Sequence, residues 1–127
     1  MVRTVVVLFL LAHGLLHPLM YAMPVKADAS APPFDVHRSW MLRAAHVSAP
    51  VAFSASVWLA WITGLLFVFA GAALLGGGAA WTAAATAGAV VGLVLKLGWF
   101  HPWLTVGVAL DVGVLVAVAA AWPGSVF

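Results

Sequence analysis

Four stretches of the chain, at about 4–22, 52–75, 80–99 and 103–122, are each close to twenty residues of nearly unbroken apolar sequence. A helix rises 1.5 Å per residue, so about 20 apolar residues match the roughly 30 Å hydrocarbon core of a bilayer. Helical spans also satisfy their own backbone polar groups, which lipid cannot do. The pattern predicts an all-α fold: a four-transmembrane-helix, up-down-up-down bundle in a single integral membrane domain, 1–127. Composition closes off the water-soluble alternative. Of 127 residues, 66% are hydrophobic and 6% charged, and a soluble domain of this length needs a much larger charged surface.

Tryptophans mark the expected boundaries. Trp81 and Trp99 bracket the third stretch, and Trp103 and Trp122 the fourth. Each pair is separated by roughly 27–29 Å along a helix, near the core thickness. Trp58 and Trp61 lie near the start of the second. Three glycines at 76–78 break the second stretch from the third. Phe100, His101 and Pro102 break the third from the fourth, with Pro102 suited to a first helical turn. Pro123 and Gly124 end the fourth. The one long connection, 23–51, reads as irregular around Pro24, Pro32 and Pro33. Residues 35–47 predict a short interfacial helix, with Val36, Trp40, Ala44 and Val47 on one stripe and His37, Arg38 and Arg43 elsewhere.

Charge and cysteine content remove several function classes. A formal net charge of +2 offers no basic patch for nucleic acid. Without cysteine there is no disulfide, thiolate metal site or thiol chemistry. The N-terminal apolar run lacks a closely following small-x-small cleavage pattern and reads as a retained helix. The expected surroundings are the lipid bilayer of a cell membrane, with a membrane-protein partner or a second copy. Lys26, Arg38, Arg43 and Lys96 gather toward the long loop, which a positive-inside count makes cytoplasmic. The N-terminal leader reads the other way, so both orientations stay open.

Two constellations of polar residues stand out against this background. His13, His17 and Met20 follow i, i+4, i+7 spacing and share one face of the first helix. Imidazole with thioether suits copper, and His13 and His17 with His101 as a third ligand suit zinc or iron. Haem held between histidines on facing helices is a further alternative. A plainer alternative is that these imidazoles donate hydrogen bonds between helices and fix packing. His37 and His46 read as solvated loop residues.

The second constellation is Lys96 with Asp111. Asp111 lies near the middle of the fourth stretch, where a lone charge is expensive. Folding the chain about 101–102 sets Lys96 roughly opposite Gly107, one turn from Asp111, which makes the two an intramembrane ion pair. Ala84, Gly88 and Gly92 form a small-residue packing seam that Lys96 extends, with Gly107 facing it from the fourth helix. The pair reads either as a proton or ion site or as a structural bridge. The half of the chain bearing the termini holds few polar groups, so a charge path through the membrane has nothing to run on.

The stretch "AHGLLHPLMYAM" resembles the "HGLIHLLGF" signature of small four-helix bacterial integral membrane proteins, common in actinobacteria. "WLAWITGLLFVFAGAALL" at 58–75 resembles their second helix, and "GWFHPWLTVGVALDVGVLVA" at 98–117 their last. His13 and His17 match the motif histidines, Asp111 stands where the pattern usually has Asn, and His101 is additional. The likeness spans most of the chain outside the long loop; DoxX-type membrane proteins are similar in architecture alone. It implies the four-helix fold and carries no activity. The functions that follow are a non-enzymatic accessory or assembly subunit of a larger membrane complex, a metal- or haem-binding membrane protein, or a proton-coupled carrier using Lys96 and Asp111.

Overall fold

A computed structural model describes residues 1–22 and 34–127. Within them lie the helices α1 (Val2–Tyr21), α2 (Trp40–Ala44), α3 (Ala49–Leu75), α4 (Ala80–Gly98) and α5 (Thr105–Ala119), with 3₁₀ turns at Pro102–Leu104 and Gly124–Val126. No strand occurs among the described residues. Four helical runs are long and apolar enough to cross a membrane: α1, α3, α4 and Pro102–Ala119. The expected irregular segment around Pro24, Lys26, Pro32 and Pro33 lies outside the described residues, as does Met23.

Three elements differ most from the sequence reading. The second long helix begins at Ala49, not 52, because Pro50 sits in its first turn, where the missing N–H has no helical partner to lose. The last helix opens with a 3₁₀ turn and ends at Ala119, not 122. Ala121 takes a left-handed φ of 48°, and Trp122 precedes Pro123, a position that disfavours helix. The interfacial helix expected over 35–47 contracts to the five residues of α2.

The contraction of α2 has a clear cause in the end of α4. The last carbonyls of a helix lack intrahelical donors. Ser39 Oγ donates to the Gly98 carbonyl at 2.7 Å, and Trp40 Nε1 donates to the Leu97 carbonyl at 2.6 Å. Trp99 Nε1 returns the bond to the Val36 carbonyl at 2.8 Å. Hydrogen bonding to α4 therefore seats this segment together with Phe34, Val36 and Leu42, which pack on the cluster around Tyr21 and Trp99. Trp40 remains 60% exposed, and Ala44 is also exposed.

The opposite end of the bundle is closed differently. Arg3 Nε donates to the Leu74 carbonyl at 2.9 Å, and the Trp81 ring packs on Phe127. The turn from α3 to α4 passes through Gly77 at φ 75°, a conformation that a side chain disfavours.

In the interior, α1 packs on α3, α3 on α4 and α4 on α5. The α1–α3 contact is unusually close. A Cβ on Gly14 would lie 2.9 Å from the Gly64 carbonyl oxygen, and one on Gly64 would lie 2.9 Å from that of Gly14. Pro18, inside α1, has no N–H to give the Gly14 carbonyl. The freed oxygen faces Gly64, where the missing side chain leaves it room.

The predicted small-residue seam on α4 divides between two neighbours. A Cβ at Gly88 would press on Leu66 and Phe67 of α3, whereas one at Gly92 would strike Asp111 of α5. Ala84 is buried in the apolar cluster formed with Leu10, Phe67, Ala70, Leu74 and Ala85. A second cluster joins Tyr21, Ala52, Ala60, Leu95 and Trp99. Outside the bundle contact, a groove of about 610 Å³ runs between α1 and α5, walled by Val5, Phe9, Ala109, Gly113 and Ala117 among others.

Candidate functional site

Four ionisable side chains from three helices form one hydrogen-bonded chain in the interior. His13 Nε2 lies 2.7 Å from Asp111 Oδ1, Lys96 Nζ lies 2.7 Å from Asp111 Oδ2, and Lys96 Nζ lies 2.6 Å from His17 Nε2. His17 Nδ1 reaches the His13 carbonyl at 2.9 Å. All four are buried, Asp111 completely.

The partners fix the protons. A backbone carbonyl only accepts, so His17 Nδ1 carries the hydrogen and its Nε2 is a lone pair that accepts from the Lys96 ammonium. Asp111, as a carboxylate, accepts from Lys96 through Oδ2 and from His13 Nε2–H through Oδ1. The pattern is met by one ammonium, one carboxylate, a neutral His17 and a His13 that donates from Nε2. Burying either ion alone would be very costly, and bonding on both carboxylate oxygens is what makes the buried arrangement tolerable.

Local sequence explains how each group arrives. His13 and His17 are one turn apart, so both rings leave the same face of α1. Gly107 clears the path of the lysine stem: a Cβ there would lie 2.7 Å from Lys96 Cε. Gly92 does the same for the carboxylate, since a Cβ there would lie 2.6 Å from Asp111 Oδ2. Aromatic rings wall the imidazoles. Phe9 stacks on His13 at 5.4 Å and 7°, while Phe67 meets His13 edge-on at 4.9 Å and lies over His17 at 5.9 Å. The hydroxyls of α3 stay out of the network: Ser56 and Thr63 donate to the Phe53 and Leu59 carbonyls of their own helix.

The other sequence candidates lie elsewhere. His101 Nδ1 accepts from the Trp103 N–H at 3.2 Å and caps the 3₁₀ turn. Met20 packs against the apolar cluster around Tyr21 and Trp99. Hence the expected His13, His17, His101 and Met20 ligand set is not assembled, and Asp111 stands in the third place. His13, His17 and Asp111 do offer three ligand atoms within 4.8 Å of one another, a composition that suits a divalent metal. However, the Lys96 ammonium already bonds His17 Nε2 and Asp111 Oδ2, two of the atoms such an ion would need. A copper or zinc ion would have to evict a fixed positive charge. Haem held between histidines on facing helices is not assembled, because the side chains that face His13 and His17 from the other helices are Lys96, Asp111 and Phe67.

Spacing along the chain does not pair His13 with Asp111, but their depth in the bundle does. Counted from the helix ends nearest the long loop, Tyr21 and Pro102, the two residues lie roughly 12 and 14 Å deep at 1.5 Å per residue. Matched depth on polar positions of two apolar helices is grounds to pair them. The chain matches no family model, no curated protein and no solved structure.

Proposed function

We propose that this chain is a small, non-enzymatic integral membrane protein whose working part is a proton-holding centre inside the bilayer. It acts as a proton-responsive accessory subunit, on a membrane partner or on a second copy of itself. The observation that carries the reading is the continuous chain His13–Asp111–Lys96–His17 within helices apolar enough to span a membrane. Ionisable groups at such depth mark ion or proton handling more often than packing alone requires.

The surroundings support proton binding over transport across the membrane. Toward the Arg3 end the interior is filled by Val7, Leu10, Ala70, Leu74, Ala85 and Ala89, none of which passes a proton. Toward the other end, Tyr21 follows His17 at i+4, and its buried hydroxyl has no partner among the described residues. In this reading a proton arrives and leaves on the Tyr21 side, past the cluster of Tyr21, Ala52, Ala60, Leu95 and Trp99. The burial of all four polar groups supports a non-enzymatic role.

Infrared difference spectroscopy of the reconstituted protein between about pH 8 and pH 5 tests the reading. A carboxyl or imidazole band that changes in the native chain and is lost in Asp111→Asn or His17→Gln is the expected result. No spectral change from these groups over that range would refute it.

A further inference from the structure

We infer that the seam between α1 and α5 is a lateral gate held shut by the His13–Asp111 bond, and that a proton taken up by the centre opens it. The inference rests on the proton-holding reading above. It begins with how little else secures α5. Only Asp111 and Val114 of that helix are buried, while Val106, Val112 and Val116 face outward. The main packing of α5 is on α4, where Gly107 rides over the lysine stem and Gly92 faces the carboxylate. The polar bond between α1 and α5 is that of His13 with Asp111.

The groove lies directly beside this bond. Phe9 and Leu10, one turn before His13, form its α1 wall, and Leu110, Gly113 and Val114, flanking Asp111, form its α5 wall. A Cβ at Gly113 would meet nothing within 4 Å, so the groove is open there and not packed shut. Parting His13 from Asp111 would extend this opening into the centre of the bundle.

Two of the sites at which a proton can add, His17 Nε2 and the Asp111 carboxylate, loosen the centre. The groups facing it are His13 and His17 from α1, with Tyr21 one turn beyond, Lys96 from α4 and Asp111 from α5. From α3 come Phe67 and hydroxyls already bonded to their own helix. A proton on His17 Nε2 replaces the lone pair that accepts from Lys96 and sets two positive charges 2.6 Å apart, driving the lysine away. A proton on Asp111 removes the charge that holds both donors and engages one oxygen as a hydroxyl. In either case the centre gains one positive charge. The other carboxylate among the described residues, Asp35, is exposed and occupied by Arg38 and His37.

The absence of native cysteine makes the test direct. Spin labels at Val5→Cys and Ala117→Cys, on opposite walls of the groove, report the α1–α5 distance by pulsed electron resonance. The doubly labelled chain is reconstituted in lipid nanodiscs and diluted with unlabelled protein to suppress contacts between copies. The distance distribution should shift to longer values between about pH 8 and pH 5, and Asp111→Asn in the same background should show the long distance at both. If Asp111→Asn does not fold, the native pH comparison still decides. An unchanged distance while the infrared bands titrate would overturn the gate and leave the proton centre standing. Silence in both measurements would remove both.

Discussion

Gly92 and Asp111 are fitted to each other across the α4–α5 contact, since a Cβ on Gly92 would fall 2.6 Å from the carboxylate oxygen that binds Lys96. That oxygen cannot yield without breaking its 2.7 Å bond to the ammonium. Gly92→Ala should therefore destabilise the protein in detergent by about 1–3 kcal/mol, the usual range for overpacking. Gly113→Ala, with open space at its Cβ, should be neutral. Thermal unfolding of the two variants side by side checks the point, and equal behaviour would contradict it.

Lys96 and Asp111 should show strong coupling. Losing one partner leaves a buried charge uncompensated, which costs about 3–5 kcal/mol, whereas apolar replacement of both is far milder. Lys96→Met and Asp111→Leu should each hurt more alone than together. Additive losses in the double-mutant cycle would reject the pairing.

At the α1–α3 crossing, Gly14→Ala should impair folding, because its Cβ would lie 2.8 Å from Phe67 Cβ and 2.9 Å from the Gly64 carbonyl oxygen. The neighbouring turn gives a control in Leu15→Ala, since Leu15 faces outward at 54% exposure. A loss of folded protein in the first variant only, by size-exclusion chromatography, is the expected result.

Removing the Ser39 hydroxyl leaves the Gly98 carbonyl without its 2.7 Å donor. Ser39→Ala should cost about 1 kcal/mol and loosen residues 34–47 while leaving α3 and α4 intact. Hydrogen exchange resolved by segment is the appropriate measurement, and unchanged protection across 34–47 would show that Ser39 does not hold this segment.

Sidedness is accessible separately. Reporter fusions at residue 127 and within 25–35 should label opposite faces of the membrane, as four spans require. Labelling of one face by both would contradict the spanning arrangement.

Much of this architecture is written locally. The four apolar runs and their glycine and proline breaks set the helices, and a count of residues about 101–102 was enough to bring Lys96 toward Asp111. The rest depends on helices distant in the chain. Nothing near His13 announces Asp111, 98 residues away, because bundle geometry rather than spacing sets that distance. His101 looked like a third ligand by residue type, yet the turn that presents it also needs an acceptor for the Trp103 N–H. Pro50 resembled a loop residue for the same reason that it suits a first helical turn: both tolerate a missing N–H.

The separation of Lys96 and Asp111 by 15 residues bears on how the chain enters a bilayer. The two charges belong to consecutive helices joined by a short turn, so the α4–α5 hairpin can neutralise them before either is immersed in hydrocarbon. His13 and His17 enter with α1, made earlier in synthesis. Insertion as a preformed hairpin would thus spare the membrane machinery an isolated ion, and a longer connection at 99–102 would forfeit that advantage without altering a single contact in the finished protein.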